Sequence, residues 1–180
     1  MSFLTDFNGL VRPCFVETGT GQGDTLRTAA ANAFEVLHSI ECSQGLYLQA
    51  VTNFGRDPRV HLWHGESAGI LPWILDPTRP TTFWLDAHWS GGEFGEGRPS
   101  VECPLLLELE AILAKPWTVP PIILIDDAHA LDGSYFQSQG SRDRGFHPEA
   151  WPTIEQVRAL VPPMFSLRRT ETVLRFEVSP

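Results

Sequence analysis

Two kinds of stretch in this chain of 180 residues put carboxylates and glycines where they could handle a charged ligand. CFVETGTGQGDTL, residues 14–26, sets Gly19, Gly21 and Gly23 at every second position, with Thr20 between them and Glu17 just before. A backbone stripped of side chains at that spacing lets a bound molecule approach closely; the alternative is a tight strand-to-helix turn that holds nothing. The apolar runs TTFWLDAHW and PIILIDDAHA drive straight into Asp86 and into the pair Asp126 and Asp127. Charges emerging from buried strands cost desolvation unless they are paired or bind a cation, although Asp127 could instead cap a helix. His88 and His129 each stand two residues beyond one of these aspartates. Either could accept a proton from a hydroxyl near neutral pH, or simply bond a neighbouring carboxylate.

Short apolar runs alternate with longer amphipathic stretches, the pattern of a parallel sheet covered by helices on both faces. Strands are expected over 14–17, 36–41, 60–64, 82–86 and 121–126, and helices over 24–34, 43–54, 67–74, 103–114 and 154–160. Asp24, Ser43 and Ser67 stand at helix starts as candidate caps, and Pro72 is expected to shorten the third helix. The tail MFSLRRTETVLRFEV breaks the alternation: two β-rich runs flank a polar turn at 169–171, which predicts a hairpin. The fold class is therefore α/β, a three-layer, Rossmann-like, doubly wound sheet that is mostly parallel and ends in an antiparallel hairpin. Length predicts one domain over 1–180. Two long glycine-containing loops, 90–100 and 131–152, have the character of lids or binding loops.

Two ligand classes use a glycine turn after a first strand. Dinucleotide enzymes use G-x-G-x-x-G, but aspartate stands at position 24, where their third glycine belongs. The pattern here, E-x-G-x-G-x-G from Glu17 to Gly23, resembles the first motif of class I S-adenosylmethionine-dependent methyltransferases. The motif set ETGTGQGDT, HSIE, HGES, FWLDAHWSGG, CPLLLELEAI and ILIDDAHAL also looks like that of small bacterial proteins of this class. The resemblance covers residues 15–131 well and the tail by topology.

The resemblance implies a function and a site. Glu17 would face the ammonium of S-adenosylmethionine above the cradle of Gly19, Thr20, Gly21 and Gly23. Glu41, ending VLHSIE, would take the ribose hydroxyls, and Glu66 or Ser67 of HGES would edge the adenine. Asp86 would belong to this cofactor set and also, with Asp126 and Asp127, to a metal site like that of catechol-type and macrolide-sugar O-methyltransferases, in which a hard cation such as Mg2+ holds a substrate hydroxyl. Those enzymes usually carry a lysine after the fourth-strand aspartate; here the only lysine is Lys115, so His88, and after it His129, is the expected base. The implied activity is methyl transfer to a hydroxyl of a small molecule or sugar. A binding module without turnover and, less favoured, an NAD-binding oxidoreductase are the alternatives.

Composition bounds these readings. Hydrophobic residues make up 42% and charged residues 19%, as in a globular chain, and the net charge of −9 speaks against a phosphate backbone as partner. LDAHWS is not the N-P-P-Y-type turn of nucleic-acid amino-methyltransferases. Trp84, Trp89, Phe94, Tyr135 and Phe136 could line an acceptor pocket or belong to the core. Cys14, Cys42 and Cys103 are odd in number and widely spaced, which suggests buried free thiols rather than a disulfide framework. MSFLTDFNGLVRP lacks the marks of a leader, and no run is long enough to span a membrane, so a cytoplasmic protein is expected, with a homodimer one open possibility for its assembly.

Overall fold

A computed structural model describes residues 7–89, 91–92, 99–137 and 147–178. Seven strands form one sheet: β1 (Cys14–Thr18), β2 (Val36–Glu41), β3 (Val60–His64), β4 (Thr81–Leu85), β5 (Ile122–Ile125), β6 (Phe165–Arg169) and β7 (Leu174–Val178). Their order is β3-β2-β1-β4-β5-β7-β6. The first five pair in parallel, and β7 inserts antiparallel between β5 and β6. The α-helices among the described residues are α1 (Asp24–Ala30), α2 (Gln44–Phe54), α3 (Ser67–Ile74), α4 (Leu105–Leu113), α5 (Ala128–Leu131) and α6 (Ile154–Leu160).

The central strands are near-continuous apolar runs because both faces of a parallel sheet are covered. Every residue of β1, β4 and β5 is buried. One core layer gathers Val16, Phe83, Leu71, Leu109, Ile112 and Val157 against α3, α4 and α6; the other gathers Phe7, Phe15, Leu26, Phe34, Phe54 and Trp84. Trp84 is fully buried there, so it is core and not part of a pocket mouth. β1 and β4 are neighbours, while the chain runs away from them in opposite directions. A crevice opens beyond the carboxyl ends of such a strand pair.

Several boundaries differ from expectation for local reasons. α1 stops at Ala30, four residues early, because the Asn32 side chain bonds back to the Thr28 carbonyl and the Arg59 guanidinium collects the carbonyls of Ala30, Asn32 and Phe34. That frees Phe34 to turn inward and meet Phe7 edge-on. α4 starts at Leu105 and not at Cys103, since a residue before proline disfavours helical geometry and Pro104 takes the cap position. Of the expected caps Ser43 holds its position at α2, while Gly23 and Glu66 stand in place of Asp24 and Ser67 at α1 and α3; none makes a side-chain cap bond. Pro72 is accommodated inside α3, and Lys115 Nζ donates to its carbonyl at 2.8 Å. Cys14 is buried as expected, but Cys42 is exposed, and all three thiols are free. Among the described residues no helix is long and apolar enough to cross a membrane.

Candidate active site

The glycine loop is built by three left-handed residues. Gly19, Gly21 and Gly23 have φ of +77°, +53° and +80°. A Cβ at Gly19 would lie 2.4 Å from the Asp86 carbonyl oxygen, and one at Gly23 would lie 2.6 Å from the Phe54 ring. These two glycines let the loop seat on β4 and α2. Gly21 is different, because a Cβ there would meet nothing within 4 Å among the described residues. It faces open space, the property a ligand cradle needs and a packed turn does not.

Glu41, buried at the end of β2, rims this space. Its Oε2 accepts from the Gly21 N–H at 2.9 Å and its Oε1 from the Ser43 N–H at 2.8 Å. A carboxylate offers about four acceptor positions, so each oxygen keeps one for a diol. Glu17, 1% exposed, accepts from Ser39 Oγ at 2.6 Å, and Ser39 in turn lies 2.6 Å from Thr20 Oγ1. Burial pushes the Glu17 carboxyl well above its usual range; Ser39 opposes this, and the charges of Asp86, Glu41 and Asp24 add to it. An ammonium beside such a group would supply the missing positive charge.

After β3, Glu66 accepts from Ser100 Oγ at 2.5 Å. Ser67 is buried and its hydroxyl bonds the carboxylate of Glu108. Glu108 is a residue that the sequence reading missed: a glutamate on α4, 1% exposed, whose carboxyl burial raises to about 7 against the opposing bonds of Ser67 and Thr18. It sits in an LLLELEAIL pattern that reads as an ordinary amphipathic helix, and only its place in the first turn marks it.

Asp86 and Asp127 come together around His88. His88 Nε2 lies 3.0 Å from Asp86 Oδ1 and 2.7 Å from Asp127 Oδ2. Burial alone would lower the His88 pKa, but the bonds and charges of Asp127 and Asp86 outweigh it and raise it well above the usual value. Asp127 is lowered: the His88 bond and charge overcome the burial that would raise it. Asp86 goes the other way, with burial dominant over the help from His88. His88 is thus held between the carboxylates of Asp86 and Asp127, with Nε2 in reach of both. A histidine bonded to neighbouring carboxylates is one of the two readings its position left open; the contact with Asp127, 39 positions away, has no signature in the sequence. His129 Nδ1 stands 3.8 Å from Asp127 Oδ1.

Asp126 is not among the groups clustered for a metal, which are Asp86, His88 and Asp127. Its Oδ1 is buried without a hydrogen bond in the described structure, and burial together with the charges of Asp86 and Asp127 raises it to about 8. Asp127 itself has φ +52°, a left-handed conformation rare outside glycine, at the cap position of α5.

An aromatic arch stands over this cluster. Trp151 lies 4.7 Å from the His88 ring, Phe136 packs edge-on against Trp151 and against Tyr135, and Tyr135 packs edge-on against His129. Tyr135 and Phe136 thus lie beside the two histidines, Trp151 joins them, and Phe94 lies outside the described residues. The His147 N–H donates to Glu102 Oε1 at 2.9 Å.

No protein-family model matches this sequence. No curated protein matches it either. Solved structures do share its fold. A Staphylococcus aureus protein assigned as a caffeoyl-CoA O-methyltransferase superposes with a TM-score of 0.65 at 10% identity, over 95% of this chain and 78% of that one. The O-methyltransferase TomG of Streptomyces achromogenes, involved in tomaymycin synthesis and solved with SAM, gives 0.58 at 16%, over 96% and 76%. The O-methyltransferase of Bacillus cereus, solved with SAH, gives 0.55 at 14%, over 92% and 74%. The fold is the one these class I methyltransferases share.

Proposed function

We propose that the chain is one S-adenosylmethionine-binding domain that methylates a hydroxyl of a small molecule or sugar. The observation that carries this is Gly21: a left-handed glycine that faces open space while its N–H holds Glu41 at the rim. S-adenosylmethionine, when bound, supplies a methyl group already activated by its sulfonium. Gly19, Thr20, Gly21 and Gly23 would form the cradle, Glu17 would face the ammonium, Glu41 would take the ribose diol, and Glu66 would edge the adenine. Ser67, committed to Glu108, would support that edge from behind. Glu17, Asp86 and Asp126 are all raised in part by one another's or their neighbours' negative charge, and a cationic ligand relieves that repulsion.

A divalent metal fits the same edge, since one ligand atom each from Asp86, His88 and Asp127 lie within 4.8 Å of one another. When bound it would hold the acceptor hydroxyl and lower its pKa. Of the expected metal set, Asp86 and Asp127 would be ligands and Asp126 their buried neighbour. His88 would join them through Nε2, and His129, whose Nδ1 lies 3.8 Å from Asp127 Oδ1, would receive the acceptor's proton. Tyr135, Phe136 and Trp151 would wall an apolar acceptor. The net charge of −9 supports a small molecule over nucleic acid as that acceptor. An exposed free thiol, Cys42, suits a reducing cytoplasm.

The test is retention of labelled S-adenosylmethionine in equilibrium dialysis. Wild type should bind it, and Glu41→Ala, with an unchanged circular dichroism spectrum, should bind at least about tenfold more weakly. Equal binding by both proteins would remove Glu41 from the site and with it this reading of the loop.

A further inference from the structure

We infer that the metal site of this chain is a mixed nitrogen and oxygen site, Asp86, His88 and Asp127, which takes a first-row transition dication in preference to Mg2+. The inference deepens the proposed function and rests on that reading only for the metal's purpose. Nε2 of His88 lies 3.0 Å from Asp86 Oδ1 and 2.7 Å from Asp127 Oδ2. A dication about 2.1 Å from each of three ligands spaces them by roughly 3 Å, so the three atoms need open only slightly to admit it.

Two further observations point to a ligand. The other ring nitrogen, Nδ1, faces the Trp89 carbonyl at 3.4 Å, and the ring plane is held by Trp151 at 4.7 Å. That is the usual support of a metal-bound imidazole, whose second N–H is donated to a carbonyl outside the cluster. Beside the cluster, Asp126 is 8% exposed and its Oδ1 has no hydrogen bond among the described residues, a carboxylate oxygen in reserve next to Asp127. Imidazole is a poor ligand for Mg2+, which demands an octahedron of hard oxygens, and a good one for the metals from manganese to zinc. Replacing one oxygen by His88 Nε2 therefore tilts the site away from Mg2+.

The probe is Mn2+, titrated into the metal-stripped full chain and followed by electron paramagnetic resonance. One Mn2+ per chain should bind, the pulsed spectrum should show 14N modulation from imidazole, and Zn2+ should displace it at far lower concentration than Mg2+. His88→Asn should lose the 14N signal and bind Mn2+ about ten- to a hundredfold more weakly. His88→Asp, which restores an all-oxygen site, should narrow the gap between Mn2+ and Mg2+. Bound Mn2+ without 14N modulation, Mg2+ displacing Mn2+ as readily as Zn2+ does, or no bound Mn2+ at all would overturn the inference. The wild-type spectrum decides even if a variant fails to fold. S-adenosylhomocysteine binding on the same samples keeps the two readings apart: its presence without metal overturns this inference alone, and metal without it overturns the methyltransferase reading alone.

Discussion

At Gly19 and Gly21 the same residue type serves two purposes, and alanine separates them. Gly19→Ala drives a methyl to 2.4 Å from the Asp86 carbonyl in a left-handed backbone, so unfolding measurements should show a loss of about 2 kcal/mol or more. Gly21→Ala carries only the backbone strain of about 1–2 kcal/mol, because open space receives the methyl. Its expected effect is on affinity: the folded protein should lose most of its S-adenosylhomocysteine binding, and intact binding would make Gly21 a mere turn residue. Glu108 gives a pH prediction. Its carboxyl rises from 4.5 to about 7 on folding, so the folded state holds the proton more tightly, and the stability this lends is full below pH 4.5 and fades as pH climbs through 7. Glu108→Gln removes that dependence, and its stability relative to wild type should grow between pH 5 and pH 8 by at most about 3 kcal/mol in denaturant titrations. A constant difference across that range would place the Glu108 pKa elsewhere. At this scale the acids that end apolar runs were legible, because Glu41, Asp86 and Asp127 follow strands whose burial is written in their composition. Glu108, Ser39 and Trp151 were not, since their roles arise from partners 41, 22 and 63 positions away in the chain, Ser67, Glu17 and His88.

The elements themselves were readable where periodicity ran long and were misjudged at their ends. α2, α3 and α6 fall where expected, while α1 closes early because Arg59, from another part of the chain, takes its terminal carbonyls. Such a contact has no local signature. α6 owes its start to a complete capping box, in which Thr153 accepts from the Gln156 N–H at 3.2 Å and Gln156 accepts from the Thr153 N–H at 2.8 Å. Thr153→Ala should cost about 1 kcal/mol, read as a fall of roughly 2–4 °C in the melting midpoint. An unchanged midpoint would mean that packing of Val157, not the cap, fixes this helix. Because α6 follows directly on the Trp151 segment, the same variant should also loosen the acceptor wall without touching the cradle.

For the whole molecule, the strand order brings the pieces to one edge. β1 and β4 lie side by side with Glu17 level with Trp84, so Gly19 seats on Asp86, Glu41 closes one flank from β2, and Asp127 closes the other beyond β5. The hairpin predicted from the tail completes this arrangement: β7 pairs antiparallel with β5, and the Ala128 N–H bonds the Thr172 carbonyl just after the strained Asp127. The sequence patterns announced a doubly wound sheet, but only the assembled sheet shows His88 clasped by carboxylates from two different strand ends. The most direct test of the account is calorimetric titration of the full chain with S-adenosylhomocysteine, with NAD+ as the control ligand. The account predicts saturable one-to-one binding of the adenosyl ligand and no heat from NAD+. A folded chain that ignores S-adenosylhomocysteine, or that prefers NAD+, would contradict it.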